Sequence, residues 1–466
     1  MPGRVSTGEP PRVPAVASAS VPTAQPLSPQ DSCLRVPPVR LSAAHSPRSA
    51  VLTPAAVLLL LVLGLTCMKR ALIHPLRNYL LDFRSYYASG LALRAGLNPY
   101  NTAAVKSFVQ LPGRQSVPPY VYPPPTLALC ALASYLPYPS AQTPWLLLQF
   151  ALAGAAFVLT LRRLRRPWYS QAAALTGVVF LLSRPFSELF RWGQWDMLPL
   201  ALIAGALLAL DRRRALLGGT LLGLAAVAKV TPIALVAILL LRREKRAALA
   251  AIATIAAAVA LALLTLPAGL WASWRNNLAV LSADVSPQNF SLRGFLLTGF
   301  SSYHHRGVLS TPWLDLGPQA PLALSMAIAA LAAGGLGLWL WRRRGQLSTA
   351  ESLACAIPVL LLISPLTWTH HAVLLLIPLA LATVRAFHAV TGSVFQICGL
   401  MVVAGLLLSA PLSEHELQVP QWLEHLIAPT VLYANVALAV LLFRQFSPRA
   451  HAVCTPAAPK FVPATL

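Results

Sequence analysis

The sequence predicts an all-α fold, a polytopic transmembrane helical bundle of about 11 to 13 spans with outer-face loops and surface helices. Composition is the first observation behind this: 57% of the 466 residues are hydrophobic and only 11% are charged, against roughly 25% in an average soluble domain. The second is that the Lys and Arg residues stand in short clusters between apolar runs, as in cytoplasmic loops. A water-soluble fold could not bury this much apolar surface.

The chain divides into three predicted parts. Residues 1–50 are rich in Pro, Ser and Ala and lack an apolar run, which predicts a disordered cytoplasmic tail. Residues 51–445 predict one multi-span membrane domain, and residues 446–466 a second cytoplasmic tail. The chain has 36 Lys and Arg against 13 Asp and Glu, but no basic stripe with interleaved aromatic residues, so no nucleic-acid partner is expected.

A bilayer core needs about 20 apolar residues per helix, with shorter helices allowed in crowded bundles, and candidate spans follow one another along the membrane domain. They are 51–68, 143–161, 170–184, 196–210, 215–241, 247–267, 321–341, 352–364, 371–385, 394–411 and 428–443. The stretch 124–138 is a further partial one. If it spans together with 143–161, the arginines at 162–166 fall on the outside, which charge bias disfavours. A re-entrant or surface helix and a true span therefore both stay open here.

The run 215–241 is too long for one comfortable span and is interrupted by Lys229, Thr231 and Pro232. Basic clusters flank both its ends, so both ends should face the cytoplasm. We therefore predict two short helices that meet in mid-membrane, a geometry tolerated where the backbone lines a cavity. The tendency of basic clusters to stay in the cytoplasm also places the loops 69–122 and 364–371 on the outer face.

The first outer loop holds the leading catalytic candidate, Asp82. It is the only acid between Asp31 and Glu188 and stands in an aromatic setting. A carboxylate there suits a general base that takes a proton from a hydroxyl. The alternatives are a solvated loop acid and an ion-pair partner of Arg84. The neighbouring candidates for substrate contacts are Arg84, Tyr86 and Tyr87.

A second set of candidates is the run Phe190 to Asp196 at the head of a span. Arg191 could clamp a phosphate, and Gln194 or Asp196 could bind hydroxyl groups of a substrate. The alternative is an interfacial aromatic belt with a snorkelling arginine.

Two further candidates lie in later apolar segments. Lys229 is costly in a membrane, about 2.5 to 3.5 kcal/mol, so it should face a cavity, an anionic ligand or one of the scarce acids. His370 and His371 follow in an outer segment, where one could contact a phosphate or a substrate hydroxyl while the other packs. Adjacent histidines diverge on an α-helix and would not both bind one metal ion, so no metal ligands are predicted.

Five motifs occur in order between the spans: DFRSYYASGLALRAGLNPY from Asp82, YVYPPP from Tyr120, RWGQWD from Arg191, LLGLAAVAKVTP from Leu221 and SPLTWTHH from Ser364. Together they resemble glycosyltransferase family 87, whose members are GT-C-type membrane enzymes that include polyprenyl-phosphate-mannose-dependent α-1,2-mannosyltransferases. The resemblance covers roughly residues 51–445. No single motif is specific, and the ordered set carries the likeness.

The resemblance implies a GT-C-like fold and an inverting transfer of a hexose such as mannose. The donor would be a polyprenyl-phosphate sugar and the acceptor a glycolipid or glycan, at the outer face of the plasma membrane, with membrane lipids as further partners. Asp82 matches the family's catalytic base. Lys229, His370 and His371 match polar positions that contact the donor phosphate and sugar. No cofactor is implied, and assistance by a divalent metal is left open.

The sequence departs from the family pattern at Trp195-Asp196, where a small residue followed by Asn is expected. This bears on the sugar more than on the reaction class. Two other functions remain open. A transporter or flippase of a lipid-linked sugar would also use broken helices and an intramembrane lysine. An O-antigen-ligase-like transferase would use a diphosphate-linked glycan.

Overall fold

A computed structural model describes residues 80–447, apart from 113–115, 284, 287, 306–307, 389–393 and 410–420, together with a few isolated positions between 62 and 69. The predicted tail 1–50 lies outside the described residues, as do most of the predicted span 51–68 and the chain from residue 448 onward. The division of the chain into two tails and one membrane domain therefore stays a prediction.

The described residues form α-helices, with one short antiparallel hairpin as their only sheet. The first helices are α1 Leu81–Arg94, α2 Thr102–Phe108, α3 Leu127–Ala133, α4 Tyr138–Arg163, α5 Gln171–Leu182 and α6 Arg184–Trp192, with a 3-10 turn at Pro124–Thr126. The next are α7 Met197–Asp211, α8 Ala215–Ala228, α9 Ile233–Leu241, α10 Lys245–Thr265, α11 Gly269–Ala283 and α12 Leu292–Phe300. Strands β1 Tyr303–His305 and β2 Val308–Ser310 precede α13 Gln319–Arg342, α14 Thr349–Ile363, a 3-10 segment Thr369–Leu375, α15 Leu376–His388, α16 Val394–Leu408, α17 Gln421–Ile427 and α18 Thr430–Gln445.

Several of these helices are long and apolar enough to cross a membrane. Five segments of the described chain meet that condition, namely α4, α10, α13, Thr369–Phe387 and Leu423–Gln445, and α5 with α6 forms a sixth that is bent by 45°. Shorter apolar helices, among them α7, α8, α14 and α16, lie between them. Each predicted span from residue 143 onward overlaps one of these helices, and the run 215–241 also contains the short helix α9. The all-α, polytopic fold class is confirmed, while the total of 11 to 13 spans stays a prediction.

The stretch 124–138 is short in the structure. Its helical part, Pro124–Ala133, has ten residues, which at 1.5 Å per residue measures about 15 Å, half the thickness of a hydrocarbon core. It therefore does not cross as a straight helix, and α4 is the crossing element that follows. The sequence allows either a true span or a re-entrant or surface helix here, and the length of the helix favours the second.

The run 215–241 is broken where the sequence indicates. Helix α8 ends at Ala228 and α9 begins at Ile233, so Lys229 stands in the break with an extended backbone. Pro232 lacks an amide hydrogen and disfavours helical geometry in the residue before it, which explains the break. The prediction of two short helices is confirmed, and the break turns Lys229 into the protein interior, where it is 8% exposed.

Close packing against α10 fixes the position of α8. Gly219 and Gly223 lie one helical turn apart on α8, and a side chain at Gly219 would collide with the backbone of Ala247. At Gly223 an added Cβ would lie 2.7 Å from the carbonyl oxygen of Ala251. Small residues at this spacing let two membrane helices approach closely. The end of α8, and with it Lys229, is held rigidly as a result.

The arginine clusters gather at one end of the bundle. Arg163 at the end of α4 pairs with Asp211 at the end of α7, with Nε and Oδ2 3.0 Å apart. Arg213 lies just beyond, in a left-handed conformation with φ 59° that closes the turn into α8. Helix α7 begins directly after Asp196, so its 15 residues separate Asp196 from the arginines by about 22 Å. The two ends of the bundle are therefore chemically different.

Candidate active site

Helix α1 is attached to the turn that follows α6. The Leu80 amide donates to the Arg191 carbonyl at 2.9 Å, which places Asp82, in the first turn of α1, beside this turn. Gly193 closes α6 with φ 71°, and a Cβ there would lie 2.9 Å from atoms of both Leu80 and Phe83. A left-handed conformation favours glycine, and the close approach leaves no room for a side chain. Gly193 therefore lets helix α1 and the motif RWGQWD meet.

Gln194 connects Asp82 to two tyrosines. Its Nε2 donates to Asp82 Oδ2 at 2.6 Å. Its Oε1 accepts hydrogen bonds from the hydroxyl groups of Tyr86 at 2.7 Å and Tyr122 at 2.8 Å. Because both hydroxyls donate to the same oxygen, the amide nitrogen must face Asp82. The side chain expected to bind substrate hydroxyls thus orients the carboxylate.

Aromatic rings enclose this hydrogen-bonded group. Tyr86 stacks on Trp195 with ring centroids 4.5 Å apart, and Tyr122 packs edge-on against the same indole at 4.5 Å. Trp145 on α4 donates from Nε1 to the Gly193 carbonyl at 2.9 Å. Tyr122 was not among the predicted site residues, although the motif YVYPPP that contains it was noted. The rings exclude water around Gln194 and strengthen its hydrogen bonds.

Asp82 lies outside the membrane-spanning helices, in an enclosed setting. Desolvation raises the pKa of its carboxyl from 3.8 to about 7. The hydrogen bond from Gln194 and the charge of Lys229 act in the opposite direction, and the charge of Asp196 adds to the rise. A carboxyl with a pKa near neutrality is suited to accept a proton during a reaction at physiological pH.

A second cluster forms around Asp196, two residues after Gln194. Lys229 Nζ forms an ion pair with Asp196 Oδ1, and His370 Nε2 lies 3.9 Å from Asp196 Oδ2. The rings of His370 and His371 are 4.6 Å apart. All four residues are buried, and neither Asp196 Oδ2 nor His370 Nε2 has a hydrogen-bond partner among the described residues. Lys229 is therefore paired with an acid, which was one of the predicted alternatives. Two polar atoms beside this pair remain available for a ligand.

The same cluster meets the distance requirement for a metal ion. Ligand atoms of Asp196, His370 and His371 lie within 4.8 Å of one another. Both histidines lie in a 3-10 segment and each brings one ring nitrogen to this group, although neighbouring residues also diverge on such a helix. Lys229 already neutralises Asp196, however, and a divalent ion about 4 Å from an ammonium group meets repulsion of about 4 kcal/mol per unit charge at an effective dielectric constant of 20. Ammonium and imidazole N–H donors suit an anion better.

The loop before α12 holds the segment that leads into the histidines. Asn289 donates from Nδ2 to the Pro365 carbonyl at 3.0 Å and accepts from the Thr367 amide at 2.9 Å. The Phe290 amide donates to the Thr367 carbonyl at 2.7 Å. Asn289 is 6% exposed and acts as a clamp on the segment that leads into His370.

The family model for glycosyltransferase family 87 matches residues 120–365. This is more than half of the 466 residues. The chain belongs to glycosyltransferase family 87. No curated protein matches the chain significantly.

Membership of family 87 makes the protein a multi-pass membrane glycosyltransferase, with a sugar donor and an acceptor as substrates. It favours the transferase prediction over the transporter and flippase alternative. The matched range contains Gln194, Asp196 and Lys229 but begins after Asp82 and ends before His370. The roles of Asp82 and the histidines in this family 87 enzyme therefore rest on geometry.

Three of the residues predicted to contact the substrate are exposed, bonded to the backbone or buried in the structure. Arg191 is exposed on α6 and pairs with Glu188 at 3.2 Å. The Tyr87 hydroxyl donates to the Leu136 carbonyl at 2.9 Å, and Arg84 is buried within α1. Their roles as substrate contacts stay predictions.

Replacing Gln194 by leucine should lower kcat about 10- to 100-fold, because a hydrogen bond to a charged group contributes about 1.5 to 3 kcal/mol. The KM for the donor should change little, since Asp82 would be misplaced while the lysine–histidine cluster stays intact. Steady-state kinetics of the purified enzyme measure both constants. Gln445→Leu is the matched control, because it removes a buried hydrogen bond to the Ala382 carbonyl at the opposite end. Wild-type turnover in the Gln194 variant would contradict the orienting role.

Proposed function

We propose that the protein transfers a hexose, mannose by family resemblance, from a polyprenyl-phosphate donor to a hydroxyl group of a glycolipid or glycan. The transfer proceeds with inversion at the outer face of the plasma membrane. The observation that carries this proposal is the arrangement around the turn Gly193 to Asp196. Gln194 of this turn orients the carboxylate of Asp82, and Asp196 of the same turn lies against two nitrogen donors, Lys229 and His370.

Asp82 acts as the general base in this proposal. It takes the proton of the acceptor hydroxyl while the acceptor oxygen forms a bond to C1 of the sugar. The bond between C1 and the phosphate oxygen breaks, and its electron pair leaves with the phosphate. Because Gln194 holds Oδ2 of Asp82, the other carboxylate oxygen is directed at the acceptor.

Lys229 and His370 bind the donor phosphate. Negative charge grows on the phosphate as it departs, so donors placed there stabilise the transition state more than the ground state. Lys229 is paired with Asp196, and when the donor binds, a second N–H of the same ammonium group donates to the phosphate. Asp196 then remains beside the ammonium group and limits the cost of a buried cation. A polyprenyl phosphate carries its own leaving group, which agrees with a sequence that has no GxxxxGK[ST] motif.

The distribution of basic residues along the chain supports an active site at the outer face. Basic clusters at 162–166, 212–214, 242–246 and 342–344 follow or precede apolar helices, and such clusters stay in the cytoplasm. Asp82 and Asp196 lie at the opposite end of α7 from one of these clusters. With its N-terminus in the cytoplasm, the enzyme meets a donor whose sugar is presented on the outer leaflet.

The pH dependence of the reaction should reflect the ionisation of the Asp82 carboxyl group. Its pKa is raised to about 7, so the base form is the minor one below that pH and the major one above it. We expect kcat/KM to rise about tenfold per pH unit at acidic pH and to level off above about pH 7. Initial rates from about pH 5 to about pH 9 at subsaturating donor measure this profile. A rate that falls as pH rises through 7 would contradict the assignment.

A panel of donors tests the proposed function. The purified full-length protein in lipid nanodiscs is incubated with a membrane lipid extract and one donor at a time, and new products are identified by mass. A hexose should be transferred from polyprenyl-phosphate mannose or a related polyprenyl-phosphate hexose. Transfer from GDP-mannose alone, in the absence of any polyprenyl phosphate, would overturn the proposal.

A further inference from the structure

A groove runs along the outside of the bundle between α4, α7 and α8. Its volume is about 350 Å³. Its apolar walls come from all three helices: Leu152, Leu159, Leu198, Ala201, Leu202, Gly205, Leu208, Ala209, Leu217 and Leu221. The only charged residues along it are Arg212 and Arg214 at one end. An apolar trough with a cationic end has the polarity of a lipid with an anionic headgroup.

Gly205 gives the groove its depth. A Cβ at this position would lie 3.3 Å from Leu221 Cδ1 on α8 and 3.8 Å from Leu159 Cδ1 on α4. The three helices therefore converge at Gly205, and a larger side chain there would fill the trough between them. A long side chain at position 205 would close the groove without altering its charged end.

The two arginines are presented by the turn between α7 and α8. Arg212 caps the end of α7 and Arg214 precedes α8, and both are exposed. Arg213 stands between them with φ 59° and does not line the groove. Two of the three arginines in this turn therefore line the groove. Guanidinium groups bind phosphate oxygens through paired hydrogen bonds.

We propose that this groove binds an anionic phospholipid, with its phosphate at Arg212 and Arg214 and an acyl chain along α7. The site is separate from the proposed reaction. The end of α7 that bears the arginines lies about 22 Å from Asp196, so a lipid phosphate bound there cannot deliver a sugar to Asp82. The occupant is therefore a phospholipid of the leaflet at the arginine end and not the sugar donor.

Native mass spectrometry of the full-length protein tests this inference. The protein is released from nanodiscs that contain equal amounts of phosphatidylglycerol and phosphatidylcholine, and the retained lipid is counted. The wild type should retain phosphatidylglycerol in preference to phosphatidylcholine. The double variant Arg212→Gln/Arg214→Gln should lose this preference by about 30-fold, given the contribution of each basic residue near an anionic lipid surface.

Two other variants separate charge from shape. Arg213→Gln removes a neighbouring charge that does not line the groove, so it should retain phosphatidylglycerol as the wild type does. Gly205→Leu fills the trough and should release the lipid even though both arginines remain. Size-exclusion profiles confirm that each variant is folded before it is measured. Equal retention of the two lipids by the wild type, or equal phosphatidylglycerol retention by the double variant and Arg213→Gln, would overturn the proposal.

Discussion

Asp82→Asn should lower kcat by about 10³-fold, since general acid–base catalysis contributes about 10² to 10⁴ in rate. The asparagine oxygen can still accept the hydrogen bond from Gln194 that Asp82 Oδ2 accepts at 2.6 Å. The fold and the lysine–histidine cluster should therefore be unchanged, and the donor should bind with its normal affinity. Initial rates and donor titration of the purified protein measure the two quantities separately.

A matched control for this variant is Asp315→Asn. Asp315 is an exposed acid that accepts hydrogen bonds from the Ser302 hydroxyl and from the Gly317 amide at 2.9 Å. Its replacement changes the net charge by the same amount without touching the candidate site, and turnover should stay normal. Full activity of the Asp82 variant would remove Asp82 from the mechanism. A transporter would also tolerate this substitution.

Lys229→Met should weaken donor binding by about 30-fold or more, because the charge-assisted hydrogen bond to the phosphate is lost. The structure adds a second consequence that the sequence did not predict. Asp196 is 0% exposed, and removal of its partner leaves a buried charge without compensation, which costs about 3 to 5 kcal/mol of stability. The single variant should therefore also unfold at a lower temperature.

The double variant Lys229→Met/Asp196→Asn separates the two consequences. It removes the unpaired carboxylate, so thermal stability should return towards the wild-type value while donor affinity stays low. Lys106→Met, on the exposed helix α2, serves as a control for the loss of one positive charge. Normal donor affinity in the double variant would show that the pair is purely structural.

The backbone around the candidate site could be predicted where the signal is local. The break at Lys229 follows from a lysine and a Thr-Pro pair within an apolar run, both of which are visible in the sequence. The sequence does not predict whether 124–138 spans the membrane, because the length of this helix depends on where the chain turns after Ala133. Local composition does not fix that position.

The contacts between the candidate residues could not be predicted in the same way. Gln194 bonds to Asp82 across 112 residues and to Tyr122 across 72 residues, and no periodic pattern links positions so far apart. The sequence indicates only that the Gln194 amide could bind substrate hydroxyl groups. Its tyrosine partners, which decide its orientation, become visible only once α1 and the loop before α3 are packed together.

The histidine pair shows a further limit of the sequence. Adjacent residues diverge in the 3-10 helix Thr369–Leu375 as they do in an α-helix, yet ligand atoms of His370 and His371 both lie within 4.8 Å of Asp196. Asn289 holds this segment from a loop 76 residues away along the chain. A long-range clamp of this kind decides the local conformation and leaves no pattern in either segment.

The stereochemistry of transfer tests the central claim most directly. Asp82 as a general base requires a single displacement, in which the acceptor oxygen attacks C1 from the side opposite the phosphate. The anomeric configuration of the product, read by NMR from a polyprenyl-phosphate mannose donor of known configuration, distinguishes this from attack by Asp82 itself. We predict a product of inverted configuration with no sugar attached to Asp82 at any stage. Retention of the donor's configuration, together with a glycosylated Asp82 peptide detected by mass, would contradict the account.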